Sequence, residues 1–219
     1  MSSKTQIKSK KRVSDHGEVF TNPREVNAML DLVKNETERI DSTFLEPACG
    51  DGNFLAEILR RKLEVVTRLY KKSQNEFEKN ALHALSSIYG VDILEDNAVE
   101  CRSRLLRILV AKYDELFFMK TKEEFIRSAK FILSKNILVG DALTMRRNNG
   151  KPIVFTEWKP FQSKFKRTEF IFKHLVEQEY IPDLFTDEGE ASELFDGNKN
   201  IPAQHYLKLG TEEYDSNQL

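Results

Sequence analysis

The sequence predicts an α/β fold with a mostly parallel sheet and flanking helices, on three observations. Apolar residues recur by turns at helical and at strand-like spacing along most of the 219 residues, as in a layered sheet. A turn carrying Gly50 and Gly52 stands where a short apolar run gives way to a helical one. Two acids, Asp92 and Asp141, each close a further apolar run, and the C-terminal ends of such strands are where open α/β sheets bind ligands.

Each element has a local reason. Asn22, Pro23 and Glu25 provide an N-cap, a first-turn proline and an acid placed for a capping box, and Val26, Met29, Leu30 and Val33 then share one face, so a helix starts there. Thr43 to Pro47 reads as a strand feeding the glycine turn, and Leu55, Ile58, Leu59, Leu63, Val66 and Tyr70 as the helix after it. Phe77 to Leu85 predicts a helix and Ser87 to Ile93 a strand. Ala98, Cys101, Leu105, Ile108 and Leu109 mark another helix. Phe125 to Leu133 is helical, Asn136 to Val139 a strand, and Pro152 to Thr156 a fourth strand. Phe165 to Val176 fits either type, because Phe170 and Phe172 alternate while Phe170, Ile171, His174 and Leu175 share a helical face.

Composition narrows the class. A hydrophobic content of 40% supports one core. Charged residues make up 32% yet leave a net charge of -1, so no general basic field attracts nucleic acid and any DNA contact has to be local. Residues 1–12 carry Lys4, Lys8, Lys10, Lys11 and Arg12 without an acid and read as a flexible basic tail, either solubilising or lying on phosphates. A single domain is expected over 13–160, then a partly irregular extension over 161–219, acidic from Asp183 onward. Cys49 and Cys101 lack the spacing of a zinc site or a disulfide framework. That fits a reducing cytoplasm and no metal. No apolar run approaches the roughly 20 residues of a membrane span, and no secretion signal opens the chain.

The string LEPACGDGNFL, residues 45 to 55, carries the most chemistry. Its glycines let backbone turn tightly against a ligand, and the following helix points free amides at it. The string closely resembles motif I of the adenine-N6 DNA methyltransferases, and GEVFTNP, residues 17 to 23, resembles their motif X with Asn22 inserted before Pro23. Asp92 in YGVDI resembles the acidic motif II, and Asp141 in VGDAL resembles motif III.

This resemblance, covering roughly residues 12 to 145, implies a partial Rossmann-like fold of the S-adenosylmethionine-dependent methyltransferases. It implies that Phe20, Thr21, Glu46, Pro47, Ala48, Gly50, Gly52 and Asn53 surround the methionine part of S-adenosylmethionine, Glu46 facing its amino end. It also implies that Asp92 accepts the ribose hydroxyls, that Asp141 receives the adenine amino group, and that Ala142 and Leu143 border the ring. Taken alone, either acid is more often a loop carboxylate or helix cap than a ligand, and Asp51 reads as a turn or cap residue.

The family's catalytic element, Asn or Asp followed by Pro, Pro and an aromatic, supplies carbonyl acceptors for the exocyclic amine and a ring that stacks on the flipped base. Here the corresponding IVFTEWKPF, residues 153 to 161, places Trp158 and Lys159 at the first two positions, and an indole cannot accept through its side chain. Glu157 as an acceptor and Phe161 as a stacking ring are the remaining, weak catalytic candidates; the alternative is a surface strand end with an aromatic anchor. Residues 162–219 are short for the three or so further strands of a complete sheet.

The resemblance therefore implies DNA as substrate and a second protein chain supplying the catalytic and target-recognition parts, as in a restriction-modification system. A noncatalytic module that keeps the pocket, and a methyltransferase for a non-DNA substrate, are the alternatives. The cluster Lys159, Lys164, Lys166 and Arg167, interleaved with Phe161 and Phe165, is either a DNA-facing surface or a solvated loop face.

Overall fold

The computed structural model describes residues 9–16, 21–118, 120–173 and 201–211. Its elements are α1 (Lys10–His16), α2 (Pro23–Asp31), α3 (Lys34–Thr37), β1 (Phe44–Glu46), α4 (Asn53–Tyr70), α5 (Gln74–Ser86) and β2 (Ile88–Asp92). They continue with α6 (Glu95–Phe117), α7 (Glu123–Asn136), β3 (Ile137–Val139), β4 (Val154–Phe161), β5 (Lys164–Ile171), β6 (Gln204–His205) and the 3-10 turn η1 (Tyr206–Lys208). Asn22 caps α2 as its sequence predicts, its side chain accepting from the Arg24 amide.

The fold is mixed α/β. Strands β1, β2 and β3 form a parallel sheet in that order, with Leu45 opposite Tyr89 and Val91 opposite Leu138. Parallel neighbours need long crossovers, which α4 with α5, and α6 with α7, provide. Ile88 and Ile137 face these helices, meeting Leu59, Leu63, Leu85, Leu105 and Ile132 in the main core. Successive strand residues point to opposite faces. Tyr89, Val91 and Leu138 therefore turn the other way, onto Ile153, Phe155 and Phe172.

The fourth strand departs from expectation. It does not extend the parallel sheet: β4 and β5 form an antiparallel hairpin from Val154 opposite Ile171 to Phe161 opposite Lys164, completed by β6. Aromatic anchoring decides this. Phe155 packs edge-on against Tyr89, whose hydroxyl donates to the Thr156 carbonyl at 2.9 Å. Further along, Trp158 is buried against Phe131 and donates to the Asn136 side chain at 2.9 Å. The Phe165–Val176 ambiguity resolves as strand over Lys164–Ile171, while residues 174–176 lie outside the described residues, as does the acidic stretch from Asp183 to Asp196.

Two elements run across the expected segment boundaries. The hairpin runs across residue 160, where the expected domain ended, because β4 and β5 satisfy one another's backbone. At the other end, α1 begins inside the stretch expected to be a basic tail, and Arg12 is held by an ion pair to Asp96 at 2.6 Å and a hydrogen bond to Asn97. Among the described residues no helix is long and apolar enough to cross a membrane.

Candidate functional site

The three parallel strands end side by side, and most of the expected ligand residues stand on that edge. After β1 the chain turns through Gly50 and Gly52, both at positive φ (53° and 86°), into α4. Glycine at Gly52 has a packing reason: a Cβ there would sit 2.7 Å from the Cys101 Sγ on α6. The turn is clamped further by Arg104, whose guanidinium pairs with the Asp51 carboxylate and donates to the Asn53 side chain at 2.6 Å. Asp51 and Arg104 are both buried, and a buried pair of this kind is costly to break because the surviving charge is stranded.

Asp92 ties the turn to the neighbouring strand. Its Oδ2 accepts from the Gly50 amide at 2.8 Å, and its Oδ1 accepts from the Leu94 amide at 2.9 Å and the Asn97 side chain at 3.1 Å. Only 8% of Asp92 is exposed. A carboxylate has about four acceptor sites, so roughly one remains for a ligand. Asp141 lies next in line, since the Gly140 amide donates to the Asp92 carbonyl at 3.0 Å. Its Oδ1 accepts from the Leu143 amide at 2.8 Å. Ala142 is half-buried, and Leu143 is 92% exposed on the same edge.

Glu46 closes β1. Burial pushes its carboxyl above the usual range, against a weaker lowering by the Ala48 amide, which donates to it at 3.4 Å. It lines a cavity of about 230 Å³ with Met29, Leu30, Phe44, Phe54 and Ile58, between α2, the free edge of β1 and α4. Pro47 and Ala48 are exposed just beyond it. Thr21 reaches the site through its carbonyl, which accepts from the Asn53 side chain at 3.3 Å. Phe20 and Gly17 lie outside the described residues.

The two catalytic candidates are not brought to this edge. Ile153 stands beside the loop after β3, and β4 runs from there toward the ends of α5 and α7, placing Trp158 against Asn136 at the start of β3. Phe161, 65% exposed, is thus at the hairpin tip near the opposite end of the sheet, and Glu157 forms an ion pair with Lys159 at 3.1 Å. Strand direction is the reason: at about 3.3 Å per residue, Glu157 stands roughly 10 Å and Phe161 roughly 23 Å along β4 from Val154. The cluster Lys159, Lys164 and Lys166 goes to that tip with Phe161, whereas Arg167 is buried over the Phe131 ring.

Residues that the sequence did not mark also shape the site. Arg104 and Asn97 were invisible because both sit on a long amphipathic helix where polar residues read as solvated. Cys49 and Cys101, far apart in sequence, meet beneath the glycine turn as buried free thiols, and their mutual contact and burial raise the Cys49 thiol. Among the described residues, no three His, Cys, Asp or Glu side chains are grouped to hold a metal. In comparisons with known proteins, no family model, no curated protein and no solved structure matches the chain.

Proposed function

We propose that the chain is the S-adenosylmethionine-binding half of a DNA adenine-N6 methyltransferase, with a partial Rossmann-like fold, and that a second chain supplies the catalytic acceptor and the target-recognition part. The observation that carries this reading is the gathering of the glycine turn, Asp92 and Asp141 on one edge, over the tips of three adjacent parallel strands.

The donor set fits the cofactor. Glu46, half-buried among apolar side chains, is an anionic partner for an ammonium or a sulfonium. Asp92 keeps about one acceptor site for a ribose hydroxyl, and Asp141 has its Oδ2 for an exocyclic amine. Leu143 and Ala142 offer apolar surface to a ring. The cavity volume is below the roughly 300–1,000 Å³ usual for a pocket that encloses a ligand of this size, so it suits only the amino-acid end, with the nucleoside lying across the open edge. When bound, the cofactor supplies a methyl group on a cationic sulfur. This chain's residues would bind and orient it, and among the described residues none at this edge is assigned as acceptor for the target amine.

The remoteness of Glu157 and Phe161 favours one second reading, a noncatalytic module that retains the pocket. Calorimetric titration with S-adenosylmethionine tests the shared part: saturable binding by the parent, and marked loss in Asp92→Ala and Asp141→Ala, are the expected results. Absence of binding by the folded parent, or unchanged affinity in both variants, would overturn it. Methyl transfer to duplex DNA on adding a partner that carries an Asn-Pro-Pro-aromatic element then separates the half-enzyme from the module.

A further inference from the structure

The C-terminal edge of the parallel sheet is acidic at its strand tips, and the loop beyond the third tip is basic. Its β1–β2 half holds Glu46, Asp92, Glu95 and Asp96, the last paired with Arg12. Asp141 follows β3, and beyond it the loop toward β4 holds Arg146, Arg147 and Lys151, with no acid from Ala142 through Thr156. The loop that presents these cations is built. Asp141 and Arg146 form an antiparallel bridge, as do Arg146 and Pro152. The Arg147 amide donates to the Lys151 carbonyl at 2.8 Å, and the Gly150 amide to the Arg147 carbonyl at 2.9 Å. Gly150 takes a φ of 77°, which suits glycine, and open space surrounds it. The Asn149 side chain accepts from the Lys151 amide, and the Arg146 guanidinium donates to the Gly150 carbonyl at 2.8 Å.

Arg147 and Lys151 are exposed, and neither side chain has a hydrogen bond or ion pair among the described residues. Two solvated cations held close on a fixed turn repel one another unless an anion lies between or across them. A polyanion gains by displacing its condensed counterions onto solution when such a turn neutralises its phosphates. The carboxylates at the strand tips repel that polymer, so contact is confined to the turn beyond them.

We infer that the Arg146–Lys151 turn is a contact for the phosphate backbone of duplex DNA, placing the polymer beside the β3 end of the edge, beyond Asp141, Ala142 and Leu143, while the strand tips hold the small cationic ligand. The choice of DNA as the polymer rests on the reading proposed above. Among the described residues, the turn and not the hairpin tip with Lys159, Lys164 and Lys166 then faces the substrate.

Fluorescence anisotropy with a short labelled duplex over a sodium chloride series tests this, on the full chain and on two double variants. Arg147→Gln with Lys151→Gln removes the turn's free cations, and Lys164→Gln with Lys166→Gln removes those of the tip. Each phosphate contact contributes about 0.9 to the logarithmic salt slope. The turn variant is therefore expected to lose roughly 2 of that slope, and the tip variant to keep the parent's value. Salt-insensitive or absent binding by the parent, loss carried by the tip, or tighter binding of a single-stranded RNA of equal length would each overturn the inference. Calorimetry with S-adenosylmethionine on the same preparations keeps the two readings apart. A parent that binds duplex through the turn but not the cofactor defeats the cofactor reading alone, and one that binds the cofactor but not the duplex defeats this inference alone.

Discussion

The backbone amide of Gly50 donates to the carboxylate of Asp92 at 2.8 Å, joining the turn after the first strand to the tip of the second. The bond gives Asp92 a structural duty in addition to any ligand it holds. Asp92→Asn keeps one oxygen but substitutes an amide for the other, so at least one of the donors from Gly50, Leu94 or Asn97 meets an N–H instead of an acceptor. Hydrogen bonds to charged groups contribute about 1.5–3 kcal/mol. A loss of that size in urea unfolding is expected for Asp92→Asn, together with faster amide exchange at Gly50. Unaltered exchange at Gly50 would show that the turn holds itself.

Gly52 tests the turn from the other side. A methyl group there meets the Cys101 sulfur at 2.7 Å and sits on a residue with a φ of 86°. Positive φ for a non-glycine residue costs of order 1–3 kcal/mol, and overpacking adds about 1–3 kcal/mol. Gly52→Ala is expected to lower stability by the sum of the two, and combining it with Cys101→Ala to recover only the packing part. Full recovery in the double variant would mean the backbone strain is negligible, and no recovery would mean the contact is.

The sequence announced the first three strands, the helices between them and the acids at their tips because each is governed by local rules: an N-cap at Asn22, a glycine bend, and apolar residues at one period or the other. What it did not announce depends on contacts remote in the chain. Whether the run from Ile153 to Phe161 joins the parallel sheet or folds back on Lys164–Ile171 is decided by where Tyr89 and Asn136 stand to receive Thr156 and Trp158. No spacing within the run encodes that. Arg104 and Lys62 were hidden for a related reason: a cation on a helix reads as solvated, and only the packed structure shows the carboxylate or carbonyls that let it be buried.

Lys62 is fully buried on α4. Its Nζ donates to the carbonyls of Ile40 and Ser42 and lies 2.6 Å from the Ser87 hydroxyl. Burial lowers its pKa from the ordinary 10.5 to about 7, against weaker raising by Asp41 and Glu36. Below about 7 the amine is charged in both the folded and the unfolded chain, and the burial penalty is present in full. Between about 7 and 10.5 the folded amine is neutral while the unfolded one still binds a proton, so stability rises with pH across that window. Thermal melts from pH 6 to 9 are expected to show this rise in the parent and not in Lys62→Met. At pH 9 the variant should also be less stable by about 1–3 kcal/mol, because two buried carbonyls lose their donor. Parallel pH profiles in the two proteins would exclude Lys62 as the titrating group.

Glu46 provides the corresponding test at the site. Its carboxyl is raised because apolar neighbours desolvate the charged form and the Ala48 amide compensates only in part. A bound cation favours the carboxylate, so the ligand has to displace a proton whenever the pH lies below the raised value. Affinity for S-adenosylmethionine is therefore expected to fall as the solution is acidified, starting at a higher pH than for an ordinary glutamate. Glu46→Gln removes the titrating group without much change in shape. Calorimetry across pH 5 to 8 should give this variant a weaker affinity at pH 8 and a flatter profile below it. A variant that matches the parent at pH 8 would show that Glu46 does not face the cationic end of the ligand, and the amino group would then have to be sought against another part of the edge.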